Sequence, residues 1–132
     1  MDLLQRREKE IFETLRAIKN DVFVIIGGYA VNAYALPRFS VDCDIVVKTK
    51  MDAMKIGVIL EEIGYVHENI PRNTPYYGNF ERYEKQIEKD FSVSMDILIK
   101  EVLDRQTNVI FAADWIFDHS KEFESDINFT EY

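Results

Sequence analysis

Two short apolar runs, separated by a glycine pair and a proline, occupy residues 22–47 and limit the possible folds more than any other stretch. Val22-Phe23-Val24-Ile25-Ile26 is continuous, apolar and rich in β-branched residues, the composition of a buried strand. Gly27-Gly28 interrupts it. Tyr29 to Leu36 is alanine-rich and predicts a helix, which Pro37 ends because the residue before a proline is pushed out of the α region. Val41 to Val47 predicts the second strand.

The rest of the chain adds elements around this unit. Leu4, Ile11, Leu15 and Ile18 recur at helical spacing and predict a helix over 3–19. A second helix is expected over 52–63, with Met54, Val58, Ile59 and Ile63 inward and Gly64 as its C-cap. Tyr65 to Glu68 reads as a short strand, Ile70 to Pro75 as a loop, Tyr76 to Tyr83 as an aromatic strand and Glu84 to Asp90 as a charged turn. Phe91 to Ile99 alternates strictly. Phe91, Val93, Met95, Ile97 and Ile99 fall on one face and Ser92, Ser94 and Asp96 on the other, as in a half-buried strand with a polar side. One or two short helices are expected within 101–120, followed by an acidic tail. The sum is an α/β (α+β) fold with a mixed β-sheet and helices packed mainly on one face.

With 132 residues the chain suits a single domain. It contains no apolar run near the ~20 residues that cross a bilayer, and its charged start lacks the apolar stretch of a signal peptide. A cytoplasmic protein with no membrane association is the expectation. The lone Cys43 forms no internal disulfide, in keeping with a reducing compartment. A net charge of −8 argues against broad, non-specific contact with a nucleic-acid backbone. It fits a nucleotide that arrives with its metal, or a cationic acceptor.

Asp42-Cys43-Asp44 carries the chemistry. On a strand the two carboxylates share a face, about 6–7 Å apart along the backbone, and can reach one divalent cation or bridge two. Gly27 and Gly28 permit a sharp turn and close approach of a ligand, and the helix expected next would direct free N–H groups at a phosphate. If strands 41–47 and 91–99 are neighbours, Asp96 joins Asp42 and Asp44 in a two-metal phosphoryl-transfer site.

Gly27-Gly28, a helix, Ser40-Val41-Asp42-Cys43-Asp44-Ile45 and then Met95-Asp96-Ile97 resemble the signature of the DNA-polymerase-beta-like nucleotidyltransferase superfamily. The resemblance covers residues 22–99 and is nearest to small prokaryotic members such as abortive-infection-type toxins and aminoglycoside nucleotidyltransferases. It implies a single nucleotidyltransferase domain over 1–132, with 100–132 a helical extension and tail. It also implies Mg²⁺ at Asp42, Asp44 and Asp96, with Asp96 helping to activate the acceptor, and a nucleoside triphosphate (NTP) held by Gly27 and Gly28 with support from Arg38 and Ser40. The implied reaction moves a nucleoside monophosphate onto an acceptor hydroxyl of RNA (tRNA, for instance), protein or a small molecule. Cys43 departs from the family's usual aliphatic residue but suits a core-facing position. The stretch after Ile99 is short beside the helical domain of most active members. An acceptor pocket would then come from a homodimer, a partner protein or chain outside this sequence. The alternative is a non-catalytic partner or regulator in a toxin–antitoxin-like system.

Plainer readings stand beside these. Taken singly, Asp-x-Asp is most often a pair of solvated acids and Gly-Gly a turn. Arg38 is equally a surface residue. Tyr76, Tyr77, Phe80 and Tyr83 suit strand packing more than base stacking. His67 and His119 lack companion cysteines, so no zinc site is expected. Trp115 reads as a packing anchor, and Asp104 to Asn108 as a polar turn or helix end.

Overall fold

The computed structural model describes residues 2–26, 42–68, 79–89, 91–104 and 109–119. The element order is α1 (Leu3–Ala17), β1 (Val24–Ile26), β2 (Asp42–Val47), α2 (Lys50–Glu62), β3 (Val66–Glu68), β4 (Phe80–Glu88), β5 (Phe91–Ile99), β6 (Glu101–Asp104), β7 (Val109–Ala112) and α3 (Ala113–His119). Gly27, Gly28, Arg38 and Ser40, the expected helix 29–36, the loop 70–75, Tyr76, Tyr77 and the acidic tail lie outside the described residues.

Five strands form one mixed sheet in the order β1-β2-β5-β4-β3, and β6 and β7 form a separate two-stranded sheet. β2 and β5 run parallel, whereas β1–β2, β4–β5 and β3–β4 are antiparallel. The expected mixed α/β architecture is present.

α1 opens on a capping box that was not foreseen. Asp2 accepts from the Gln5 N–H at 2.8 Å, and the Gln5 side chain accepts from the Asp2 N–H at 3.1 Å. Ile11, Leu15 and Ile18 turn to the core as expected, joined by Arg7 and Thr14. Arg7 is tolerated there because its guanidinium lies 4.0 Å over the Phe91 ring. Together with Ala53, Ile56 and Leu60 of α2, these residues cover Cys43, Ile45 and Val47 of β2 and Val93, Met95, Ile97 and Ile99 of β5.

α2 corrects one expectation. Met54 and Val58 point outward, whereas Ala53, Ile56, Gly57 and Leu60 are buried and Ile59 and Ile63 pack partly. The helix carries two apolar stripes, and the sheet takes the one with the small residues. Gly57 explains why: a Cβ there would meet the Tyr83 hydroxyl at 2.2 Å, so the helix sits closer to β4 than any side chain at this position allows. Gly64, with φ +106°, ends the helix as expected.

Three further expectations change. Glu84 to Glu88 continue β4 rather than turning, with a register irregularity between Gln86 and Glu88. The ladder to β5 overrides the charged composition, and the charges find partners: Lys85 with Glu10, and Arg6 with Glu88. β6 and β7 pair antiparallel where helix was expected, so among the described residues of 101–119 the helical part is α3. Lys100, at φ 72°, breaks the course of the chain between β5 and β6. Ser94 and Asp96 on the polar side of β5 are buried as well, and Ser92 partly so; β5 lies between β2 and β4, and Leu98 near its end packs beneath α3.

α3 therefore packs on the sheet face opposite to α1 and α2. Its Ala113 and Phe117 cluster with Val24, Val46 and Leu98, so the helices do not all share one side. Phe117, not Trp115, is the anchor. Trp115 is 49% exposed and stacks on His119 at 4.0 Å.

Candidate functional site

The face beneath α3 is apolar in one half and acidic in the other, and strand register fixes the boundary. Paired residues on neighbouring strands point the same way, so each ladder rung is a row across the sheet. One row is Phe80, Leu98, Val46 and Val24, the apolar half. The next row is Glu68, Arg82, Asp96, Asp44 and Ile26, spanning all five strands. Beyond it lie Val66, Glu84, Ser94 and Asp42.

Asp44 and Asp96 are thus direct neighbours across the parallel pair, on adjacent strands about 4.8 Å apart. Asp42 sits two residues along β2, in register with Ser94, and the description of Asp42 stops at its backbone. Cys43 alternates to the opposite face and is fully buried among the residues beneath α1 and α2, as expected.

Asp96 is only 4% exposed, and a charge so placed needs a partner. Arg82 supplies it with a two-pronged grip, Nε donating to Oδ1 at 2.8 Å and Nη2 to Oδ2 at 3.0 Å. The reach follows from register, since Arg82 and Asp96 are opposed on β4 and β5.

A second carboxyl pair lies alongside. Hydrogen bonds from Glu68 and from Ser92 hold Glu84 below the usual carboxylate range, with Arg82 adding to the effect. Glu68 moves the other way. Its hydrogen bond to Glu84 raises it first, then partial burial and the negative charges of Glu84 and Asp96. Of the two, Glu68 is therefore the first to take up a proton as pH falls.

Arg82, Glu84 and Glu68 were not singled out from sequence. The signal that would have found them is alternation: with β4 extended to Glu88, Arg82 and Glu84 fall on the same side as Ser94 and Asp96.

Hard carboxylate oxygens on neighbouring strands suit a divalent cation such as Mg²⁺. Asp96 remains able to serve, because each of its oxygens has one lone pair engaged by Arg82 and a second left over. The residues present fit such an ion, with Asp44 and Asp96 as its holders. Among the described residues no three His, Cys, Asp or Glu side chains group closely enough to hold a metal by themselves. Gly27, Gly28, Arg38 and Ser40, the expected phosphate-binding residues, lie outside the description. Among the described residues no helix is long and apolar enough to cross a membrane.

No protein-family model matches the chain, and a search of the curated proteins returns no match.

Proposed function

We propose that this chain is a metal-dependent nucleotidyltransferase that moves a nucleoside monophosphate from a nucleoside triphosphate to an acceptor hydroxyl. The observation that carries the reading is the pairing of Asp44 with Asp96 across parallel strands, with Asp42 next along β2. A bound Mg²⁺ would neutralise the triphosphate and make the acceptor hydroxyl more acidic. The chain's own residues have three tasks. Asp42 and Asp44 would hold the cation, and Asp96 would help to hold it and accept a hydrogen bond from the acceptor hydroxyl. Gly27 and Gly28, with Arg38 and Ser40, are the residues assigned to the phosphates from the sequence. The acceptor oxygen forms a bond to the α-phosphorus as the bond to the β-phosphate oxygen breaks. Pyrophosphate leaves and the hydroxyl proton passes to solvent.

The test pairs binding with turnover. Titration calorimetry with each nucleoside triphosphate and Mg²⁺ should give heat with the wild type and none with Asp44→Asn. Incubation with α-labelled triphosphates and tRNA, protein or aminoglycoside acceptors should release pyrophosphate only in the wild type. Equal nucleotide binding by the wild type and Asp44→Asn would sink the metal site.

One observation favours a second reading. Arg82 already engages both oxygens of Asp96, as in a site whose acid has become structural. A non-catalytic member acting as the partner of another protein would retain that pair. Such a protein would show no metal-dependent loss of triphosphate with any acceptor and would co-purify with a stable companion.

A further inference from the structure

The outer face of α2 has no explanation in the packing of the domain. Met51, Met54 and Val58 are 60%, 63% and 57% exposed. At 3.6 residues per turn they fall within about 60° of arc and form one seam along the helix. Single exposed apolar residues are ordinary, but three in a seam on one helix mark a contact surface.

The charges beside the seam identify what it contacts. Lys50 and Glu61 lie on one flank, and Lys55 and Glu62 on the other, all four exposed. On these flanks the N-terminal half of the helix is basic and the C-terminal half acidic. An antiparallel neighbour with the same sequence would set Met54 against Val58 of the second copy. It would bring Lys50 against Glu61 of the second copy, and by symmetry Glu61 against Lys50 of the second copy. Same-flank contacts are the ones an antiparallel helix pair makes, so both charge pairs form at once. The two helix dipoles would also run head to tail.

We propose that two copies of this chain associate through α2, antiparallel about a two-fold axis between Met54 and Val58. The contact is isologous and closed, so it yields a dimer and not a filament. A seam of three apolar residues is small beside a standard interface, so the dimer is weak, half dissociated at roughly tens of micromolar. The sheet face bearing Asp44 and Asp96 lies opposite to α2, away from the contact in such a dimer.

Sedimentation over about 1–500 µM tests this, spanning the range expected for an interface of this size. The wild type should shift from monomer to dimer across that range. Met54→Asp should remain monomeric while melting within a few degrees of the wild type, because its side chain is outside the core. Lys50→Glu and Glu61→Lys, each alone, should weaken self-association at least tenfold by setting like charges together. An equimolar mixture of the two should dimerise again, since each like-charge contact becomes an opposite-charge one. A wild type that stays monomeric throughout overturns the proposal. So does a dimer that Met54→Asp leaves intact, or a mixture that associates no better than its components.

Discussion

Arg82 holds both oxygens of Asp96 from the next strand, at 2.8 and 3.0 Å. Removing one partner leaves the other charge without compensation in a largely desolvated place. Arg82→Ala should cost about 2–3 kcal/mol, less than a fully buried pair because Arg82 is itself partly exposed. Arg82→Lys should recover only part, since a lysine presents a point charge in place of the fork. Urea denaturation of the three proteins checks the order.

Turnover separates the two functional readings at the same residue. If Asp96 is catalytic, Asp96→Asn should keep most of the fold and lose at least ~1,000-fold in nucleotidyl transfer. Pyrophosphate release, measured beside the melting temperature, reads both. Transfer that survives in Asp96→Asn would remove Asp96 from the site.

The close approach of α2 to the sheet is tested at Gly57. Alanine would raise helix propensity, but its Cβ must displace the Tyr83 ring, 2.9 Å away at Cζ. Overpacking should win, at about 1–3 kcal/mol. Tyr83→Phe removes the atom that comes nearest. The double variant Gly57→Ala, Tyr83→Phe should therefore be more stable than the sum of the single effects predicts.

Alkaline stability should fall in a predictable way. Burial pushes the Tyr65 hydroxyl above its ordinary value of 10.0; its hydrogen bond with Thr14 opposes this and the charge of Glu10 adds to it. Tyr83 is raised as well, again by burial first. A folded-state pKa above the unfolded value gives stability that is complete below pH 10.0. It declines as pH climbs from there through the folded value, by up to about 1.4 kcal/mol per pH unit for each group. Thermal melts of the wild type and Tyr65→Phe between pH 8 and 11 should show a shallower alkaline decline in the variant. Tyr83 should preserve the remainder.

Much of this was legible in the sequence where period and burial agree. Ile11, Leu15 and Ile18 keep helical spacing and are buried, and Phe91 to Ile99 alternates and forms β5. The Asp44–Asp96 juxtaposition was conditional on two strands being neighbours, and the β2–β5 pairing makes them so. Expectations changed where local composition competes with long-range pairing. Glu84 to Glu88 look like a turn in isolation, but beside β5, and at Glu84 beside β3 as well, their backbone groups are better satisfied in a strand. Met54 and Val58 look like a core stripe because hydropathy ranks them above alanine and glycine. The choice was made by proximity to Tyr83, which one strand of text cannot show. Arg82 escaped notice because a single arginine carries no pattern; its meaning comes from the rung it shares with Asp96.

The parallel union of β2 with β5 has a consequence for synthesis. Asp44 and Asp96 are separated by roughly fifty residues of chain, a long-range contact that closes slowly. A growing polypeptide exposes its first pair of acids well before the third has been translated. On the proposed function, nucleotide chemistry at this face would be withheld until the ribosome has delivered β5, and a chain cut short within β4 would lack Asp96 altogether.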